Sequence, residues 1–163
     1  MKLAIGSDHA GFALKEEVRK HIAAASHQIL DVGAFSVTPS DYPDFAELVG
    51  RAVHAGDVER GILICGSGVG VSVAACKMPG IRAAMCHDTY SAHQGVEHDD
   101  MNVLVLGARI IGPALAFELV NAYLGARYQS AEERFARRLE KVNIIEARYR
   151  SAQWPDAPVL GQK

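Results

Sequence analysis

The sequence has few cysteines and none of the patterns that a disulfide framework or a zinc site requires. Only three cysteines occur among 163 residues, none of them in a C-x-x-C pair, and the seven histidines include no H-E-x-x-H motif. An odd number of scattered cysteines is typical of free thiols in a reducing compartment. We therefore expect reduced cysteines and no dedicated metal site.

A charge excess and a long apolar run are also missing. The formal net charge is -2 and 22% of the residues are charged, which argues against a nucleic-acid-binding surface. No apolar stretch approaches the roughly twenty residues of a membrane span, and Met1 leads directly into a strand-like stretch without the features of a secretory leader. We expect a cytoplasmic protein with neither nucleic acid nor membrane as a partner.

Hydrophobic residues are abundant, at 49%, and they occur in a repeating order. Short apolar runs alternate with segments of helical length, which is typical of βα units. The runs predicted as strands are KLAI, HQILDV, GILIC, RAAMC and NVLVLG. The order predicts an α/β fold, a Rossmann-like doubly wound five-stranded parallel sheet with helices on both faces and ligands at the carboxyl ends of the strands.

The helical segments carry their own signals. Leu14, Val18 and Ile22 recur at four-residue spacing and predict one buried helix face. Pro113 suits a helix start, and Gly125 suits a helix end because glycine tolerates a positive φ. The later helices are predicted over residues 44–55, 70–77, 89–97 and 113–125.

A further helix over about 130–149 has no strand after it. It combines many charges with an apolar stripe, formed by Phe135, Leu139, Val142, Ile145 and Tyr149. Such a helix either caps its own domain or serves a partner subunit. We predict one domain over 1–150 that includes this helix, followed by an extended tail over 151–163 with two prolines.

The stretch GILICGSGVG carries the main chemical signal. Gly66, Gly68 and Gly70 follow a strand and enter a helix, a geometry that directs backbone N–H groups at an anion. A dinucleotide fingerprint is an alternative, with Asp88 as the ribose-binding acid 22 residues after Gly66. The spacing G-x-G-x-G differs from G-x-G-x-x-G, and the glycines follow the third predicted strand instead of the first.

Cys65 ends the strand at the edge of this loop. A thiol near a helix N-terminus has its thiolate favoured and serves as a base or nucleophile near neutral pH. The alternative is a small buried hydrophobic residue, which is the interpretation we adopt for Cys76 and Cys86.

Four stretches together resemble one family: GSDHAGF at 6–12, SDYPDFA at 40–46, GILICGSGVGVSVAACKMPGIRAA at 61–84 and EHDDMNVLVLGARIIG at 97–112. They resemble the type B ribose-5-phosphate isomerases and the related galactose-6-phosphate isomerase subunits. The resemblance extends from Lys2 to about Tyr149. It implies an aldose-ketose isomerase that moves a proton between C1 and C2 of a sugar phosphate through a cis-enediolate, without metal or organic cofactor.

The family pattern also implies a role for each matching residue. Cys65 is expected as the C–H base, His98 as the ring-opening group and Ser67 as the hydroxyl that moves protons between the two sugar oxygens. The enediolate is expected to bind the backbone N–H groups of Gly66, Ser67, Gly68, Val69 and Gly70.

Sugar hydroxyls and the phosphate need further groups. Asp8, His9 and Tyr42 match pocket positions of the family, and Arg109 matches a family arginine. Arg134 and Arg138 are four residues apart, so they share one helix face and can grip one phosphate, with Arg137 as the competing assignment to Arg138. The family completes its active sites across a homodimer interface, and we expect a homodimer or a tetramer.

One position departs from the family pattern, because Asp99 stands where the family usually has asparagine. A carboxylate cannot donate the hydrogen bond of an amide, and its charge opposes a nearby enediolate. Ribose 5-phosphate is the expected substrate, with a six-carbon sugar such as allose or galactose 6-phosphate, or a tetrose phosphate, as alternatives. A sugar-phosphate sensor without catalysis is the other alternative, which the presence of both Cys65 and His98 disfavours.

Overall fold

The computed structural model describes residues 1–150, and its centre is a sheet of five parallel strands. The strands pair in the order β2-β1-β3-β5-β4, with every neighbouring pair parallel. Their bounds are β1 (Lys2–Ser7), β2 (Gln28–Asp31), β3 (Arg60–Cys65), β4 (Ala83–Met85) and β5 (Val103–Gly107). The predicted Rossmann-like sheet is confirmed.

Within the described residues, six helices connect or follow these strands. They are α1 (Phe12–Ala24), α2 (Tyr42–His54), α3 (Val69–Ala75), α4 (Thr89–Asp99), α5 (Pro113–Gly125) and α6 (Glu133–Arg150). Pro113 begins α5 as predicted. Gly125 ends it without the positive φ that we expected, because the chain leaves the helix directly into an extended conformation at Ala126.

The sheet separates two layers of hydrophobic core. Successive residues of β3 point to opposite faces, so Ile62 and Ile64 pack with α1, α4 and α5, whereas Leu63 and Cys65 pack with α2 and α3. Cys65 is the last residue of β3. The fold therefore places its side chain at the carboxyl edge of the sheet, partly inside the core.

The strand order reverses beside β1. From β1 the chain moves to β2 on one side and then to β3 on the other. In open parallel sheets the crevice for a ligand lies at this reversal, outside the carboxyl ends of the two strands. The residues that follow β1 and β3 therefore face one another there.

The chain divides into two compact units, Met1–Tyr128 and Gln129–Lys163. The second contains α6, on which the Arg134 guanidinium lies 4.4 Å from the centre of the Phe135 ring. That α6 shares one domain with the sheet stays a prediction. The predicted tail over 151–163 lies outside the described residues. Within residues 1–150, none of the helices combines the length and the apolar character that crossing a membrane demands.

Candidate active site

Cys65 and Asp8 meet at the switch point of the sheet. Cys65 Sγ donates a hydrogen bond to Asp8 Oδ2 at 3.1 Å, and the two residues are only 8% and 5% exposed. The other carboxylate oxygen, Oδ1, accepts from Gly11 N–H at 3.0 Å. A Cβ on Gly11 would lie 2.3 Å from the Ile64 carbonyl oxygen, so only glycine lets this turn approach β3 so closely.

Two opposing influences act on the Cys65 thiol. Burial, together with the hydrogen bond to Asp8 and the charge of that carboxylate, raises the pKa of Cys65 above its ordinary value. The N–H groups of Gly66 and Gly68 act in the other direction and lower it by a smaller amount. Our expectation of a favoured thiolate is therefore wrong for the resting protein, because desolvation and Asp8 outweigh the glycine loop.

The glycine loop owes its shape to Gly68. This residue has a φ of 88° and precedes the first residue of α3. A Cβ here would also lie 3.0 Å from Met85 Sδ and 3.3 Å from the Leu106 carbonyl oxygen. The exposed Ser67 hydroxyl accepts from Val69 N–H at 3.3 Å, so Ser67 stands at the mouth of the loop.

Asp88, the acid that a dinucleotide site would need, has a structural task. Its carboxylate accepts from Ser91 N–H at 2.7 Å and caps the N-terminus of α4. This bond lowers the pKa of Asp88. The dinucleotide interpretation thus loses its ribose-binding residue.

The Tyr42 ring covers the start of α3. A Cβ at Gly70 would lie only 2.8 Å from Tyr42 Cζ and 3.0 Å from Cε2, so the ring rests directly on the glycine. Tyr42 remains 39% exposed. It therefore forms a wall beside the loop with its hydroxyl end nearest to Gly70.

Arg109 brings a positive charge to the same edge. Its N–H donates to the Gly66 carbonyl at 2.9 Å, and its Nε lies 3.6 Å from the position of a Cβ on Gly66. The exposed side chain thus passes over the loop that follows Cys65. An anionic substrate at this edge would meet a guanidinium.

Sequence reasoning missed two residues that shape this edge. Ser40 accepts from His9 N–H at 3.1 Å, and His87 Nε2 accepts from Gly107 N–H at 3.1 Å, where Gly107 pairs with Cys65 in the sheet. Ser40 belongs to a stretch that resembles the family, which is the one signal that points to it. His87 follows a strand that the sequence predicted, and its position at a carboxyl end is the signal.

His98 and Asp99 lie near the amino ends of the strands, whereas Cys65 lies at a carboxyl end. They end α4, whose 11 residues span about 16 Å from its start after β4. The next residue, Asp100, pairs through Oδ2 with Arg82 Nη2 at 2.5 Å, and Arg82 directly precedes β4. One chain therefore does not bring His98 to Cys65. The His98 ring is oriented locally, since Gln94 Nε2 donates to its Nδ1 at 2.5 Å.

The predicted phosphate ligands Arg134 and Arg138 belong to the second unit. Both are exposed on α6, four residues apart on one face, and the competing Arg137 is exposed as well.

Among residues 1–150, no three His, Cys, Asp or Glu side chains converge as a metal site would need.

Known proteins share both the sequence and the fold. Ribose-5-phosphate isomerase B of Escherichia coli is 45% identical over 147 residues, which are 90% of this chain and 97% of that protein. D-erythrulose-4-phosphate isomerase of Pectobacterium atrosepticum is 37% identical over 90% of this chain and 95% of its own length. The structure of Clostridium thermocellum ribose-5-phosphate isomerase B superposes with a TM-score of 0.88 at 44% identity, covering 91% of this chain and 99% of that one.

A family model described as ribose/galactose isomerase matches residues 3–142, nearly all of the part that carries the sheet and its site. Fold, sequence and predicted enzyme class agree. The chain belongs to the ribose/galactose isomerase family of aldose-ketose isomerases.

Proposed function

We propose that the protein interconverts ribose 5-phosphate and ribulose 5-phosphate through a cis-enediolate, without a cofactor. The observation that carries this proposal is the buried Cys65 thiol, held between the Asp8 carboxylate and the N–H groups of Gly66 and Gly68 at the switch point. A base beside hydrogen-bond donors is what proton transfer at a carbon next to a carbonyl requires.

The Cys65 thiol first loses its proton to solvent, and the thiolate then takes the proton from C2 of the open-chain aldose, which leaves an enediolate. Backbone N–H groups of residues 66–70 stabilise the negative charge on its oxygens. The Ser67 hydroxyl passes a proton from O2 to O1, and the thiol then returns its proton to C1. The products are a ketose and a regenerated thiolate, so no electron acceptor is needed.

Ring opening is assigned to His98 of a second copy of the chain. Within one chain His98 lies at the amino edge of the sheet, so a site that contains both His98 and Cys65 needs two chains. Exposed apolar side chains surround the glycine loop and suit such a contact: Val69, Val73, Met85 and Ile110. A homodimer with shared active sites accounts for both observations.

Binding of the sugar phosphate is divided between the two chains in this proposal. Asp8, His9 and Tyr42 hold sugar hydroxyls, and Arg109 lies close to the glycine loop. Arg134 and Arg138 grip the phosphate of the neighbouring active site, since arginines four residues apart can bind one dianion together.

The size of the sugar is the finer part of the proposal. The D-erythrulose-4-phosphate isomerase of Pectobacterium atrosepticum, which is 37% identical to this chain, is named for a four-carbon sugar phosphate. A tetrose phosphate is therefore the principal alternative. Asp99, at the end of α4 beside His98, offers the substrate a carboxylate where an amide would donate a hydrogen bond. A six-carbon sugar phosphate is the further alternative.

The test is an assay of aldose-ketose conversion over four-, five- and six-carbon sugar phosphates, each with a chelator present. The proposal requires the highest kcat/KM for ribose 5-phosphate and no loss of activity with the chelator. A higher kcat/KM for a tetrose or hexose phosphate would reassign the substrate. Binding of these compounds without turnover would instead identify a sugar-phosphate sensor.

A further inference from the structure

One residue of the connection between β2 and α2 holds the side chain of His9. His9 N–H donates to Ser40 Oγ at 3.1 Å, and Ser40 N–H lies 3.1 Å from His9 Nδ1. The two residues are 31 positions apart in the sequence. The pair of bonds therefore fastens the turn after β1 to the last residues before α2.

The second bond determines which nitrogen of the ring carries the proton. A backbone N–H can only donate, so Nδ1 must accept, and a neutral imidazole has one accepting nitrogen and one N–H. With this bond formed, the proton of the neutral ring is on Nε2. The other tautomer would set Nδ1–H against Ser40 N–H. The competing arrangement has Nδ1–H donating to the Ser40 carbonyl oxygen, which lies 3.2 Å from the same nitrogen and is the longer of the two contacts.

We propose that Ser40 is a positioning residue whose main-chain N–H fixes neutral His9 as the Nε2–H tautomer. The ring then presents a hydrogen-bond donor on the edge that faces away from Ser40. In the reaction this donor serves an oxygen of the sugar phosphate, a statement that rests on the proposed function. The tautomer itself is a property of the ring and its partner and does not depend on the substrate.

The neighbouring residue explains why a donor is useful here. Asp8 directly precedes His9 and presents a carboxylate, which only accepts hydrogen bonds. A sugar hydroxyl both donates and accepts, so an acceptor on Asp8 and a donor on His9 together match the two functions of such groups.

The connection that carries Ser40 has few other attachments. Its first residues continue the pairing with β1. Ser7 N–H donates to the Gly33 carbonyl oxygen at 2.7 Å, and Ala34 N–H donates to the Ser7 carbonyl oxygen at 2.6 Å. Beyond them Phe35 and Val37 are 73% and 71% exposed. The hydrogen bonds between Ser40 and His9 thus anchor the end of the connection that lies next to α2.

Nuclear magnetic resonance on the full chain, labelled with ¹⁵N, tests the tautomer. At a pH where the ring is neutral, we expect the Nδ1 of His9 to show the chemical shift of an unprotonated nitrogen. We also expect a scalar coupling across the hydrogen bond between Ser40 N and His9 Nδ1. A ring protonated at Nδ1, or the absence of that coupling, overturns the proposal whatever the enzyme does.

Two substitutions connect the tautomer to activity. Ser40→Pro removes the N–H donor, whereas Ser40→Ala keeps it and removes only the hydroxyl. We expect Ser40→Pro to lose the tautomer preference and to lower kcat/KM by about three- to tenfold, the value of one neutral hydrogen bond. Ser40→Ala should keep the wild-type Nδ1 signal. Retention of the tautomer in folded Ser40→Pro contradicts the proposal.

Val37→Pro is the matched control, since Val37 lies in the same connection, is exposed and makes no hydrogen bond among the described residues. It should keep both the tautomer and the activity. If Ser40→Pro does not fold, the wild-type spectrum still decides the tautomer. If the wild type turns over no sugar phosphate, the proposed function fails and the tautomer result stands.

Discussion

Cys65 Sγ lies 3.1 Å from Asp8 Oδ2, so the base of the proposed reaction rests as a hydrogen-bonded thiol. The carboxylate opposes ionisation of the thiol, while two glycine N–H groups favour it. The negative charge of Asp8 therefore disfavours formation of the thiolate. A substrate hydroxyl that donates to Asp8 competes for Oδ2, the oxygen that accepts the hydrogen bond of the thiol.

Asp8→Asn should lower the pKa of Cys65, because it removes the charge and the strongest acceptor near the thiol. In the wild type the pKa lies above the ordinary value of 9.0, so alkylation at neutral pH is slow and accelerates as the pH rises. In the variant the same rise should begin at lower pH. The measurement is the rate of Cys65 alkylation by iodoacetamide against pH, followed by peptide mass spectrometry.

Asp57→Asn is the control for that experiment, since Asp57 is an exposed carboxylate just beyond the end of α2. It should leave the Cys65 profile unchanged. An Asp8→Asn profile that coincides with the wild type would show that the carboxylate does not control the thiol.

Cys65→Ala should reduce kcat by about a hundredfold or more, the range of general-base catalysis, and should still bind the substrate. Cys76→Ala is the control, because Cys76 is exposed at the end of α3, where its Sγ donates to the Ala83 carbonyl at 3.2 Å. Steady-state kinetics and a binding measurement compare the two. Near-normal turnover in Cys65→Ala would exclude Cys65 as the base.

The inactive variants Cys65→Ala and His98→Asn should restore activity when they are mixed under conditions that exchange subunits. In a mixed dimer with shared sites, both defects fall in one pocket and the other pocket is intact. Equal mixing should recover about a quarter of wild-type activity, since about half of the dimers are mixed and each has one working site of two. No recovery, with exchange confirmed by mass spectrometry, would place both residues in one chain.

Gly70→Ala should lower the melting temperature, because a Cβ there would lie 2.8 Å from Tyr42 Cζ. Gly70 is within α3 and its φ is not positive, so alanine is otherwise acceptable at this position. In a Tyr42→Ala background the same substitution should no longer lower the melting temperature. Equal losses in both backgrounds would mean that the Tyr42 ring is not the obstacle.

Lys15→Met should destabilise the fold by about 3 kcal/mol, because it removes the buried cation of the partly buried Asp31 carboxylate and leaves only the more distant Arg19, at 3.6 Å, to pair with it. Lys15 is 0% exposed, and its Nζ donates to both Asp31 oxygens at 2.7 and 2.8 Å. Lys20→Met on the exposed side of α1 is the control and should cost much less. Urea unfolding measures both. The double variant Lys15→Met/Asp31→Leu should recover part of the loss, and similar costs for the two single variants would contradict this account.

The sequence predicted the parts of the protein whose physical cause is local. Short apolar runs predicted all five strands, and the carboxyl ends of β1, β3 and β5 located Asp8, Cys65 and Arg109 on one edge. The start of α2 was placed two residues late, because Pro43 fits the first turn of a helix and Asp41 precedes it in an extended conformation. Boundaries of this kind depend on only one or two residues.

The relations that cross the chain were not predictable from the sequence. Ser40 meets His9 from 31 positions away, and nothing in its own neighbourhood indicates that contact. The pKa of Cys65 depends on burial and on the side chain of Asp8, and both follow from how β1 and β3 lie side by side. A helix N-terminus is visible in a sequence, whereas the desolvation that outweighs it is not.

The position of His98, at the far end of α4 from the thiol, has a consequence for how the enzyme depends on its own concentration. Under the proposed assembly, a lone chain carries one half of each of two sites and no whole one. Specific activity would then fall on dilution with the dissociation constant of the dimer, so that turnover reports association. Selection for catalysis would act equally on the surface that joins the chains.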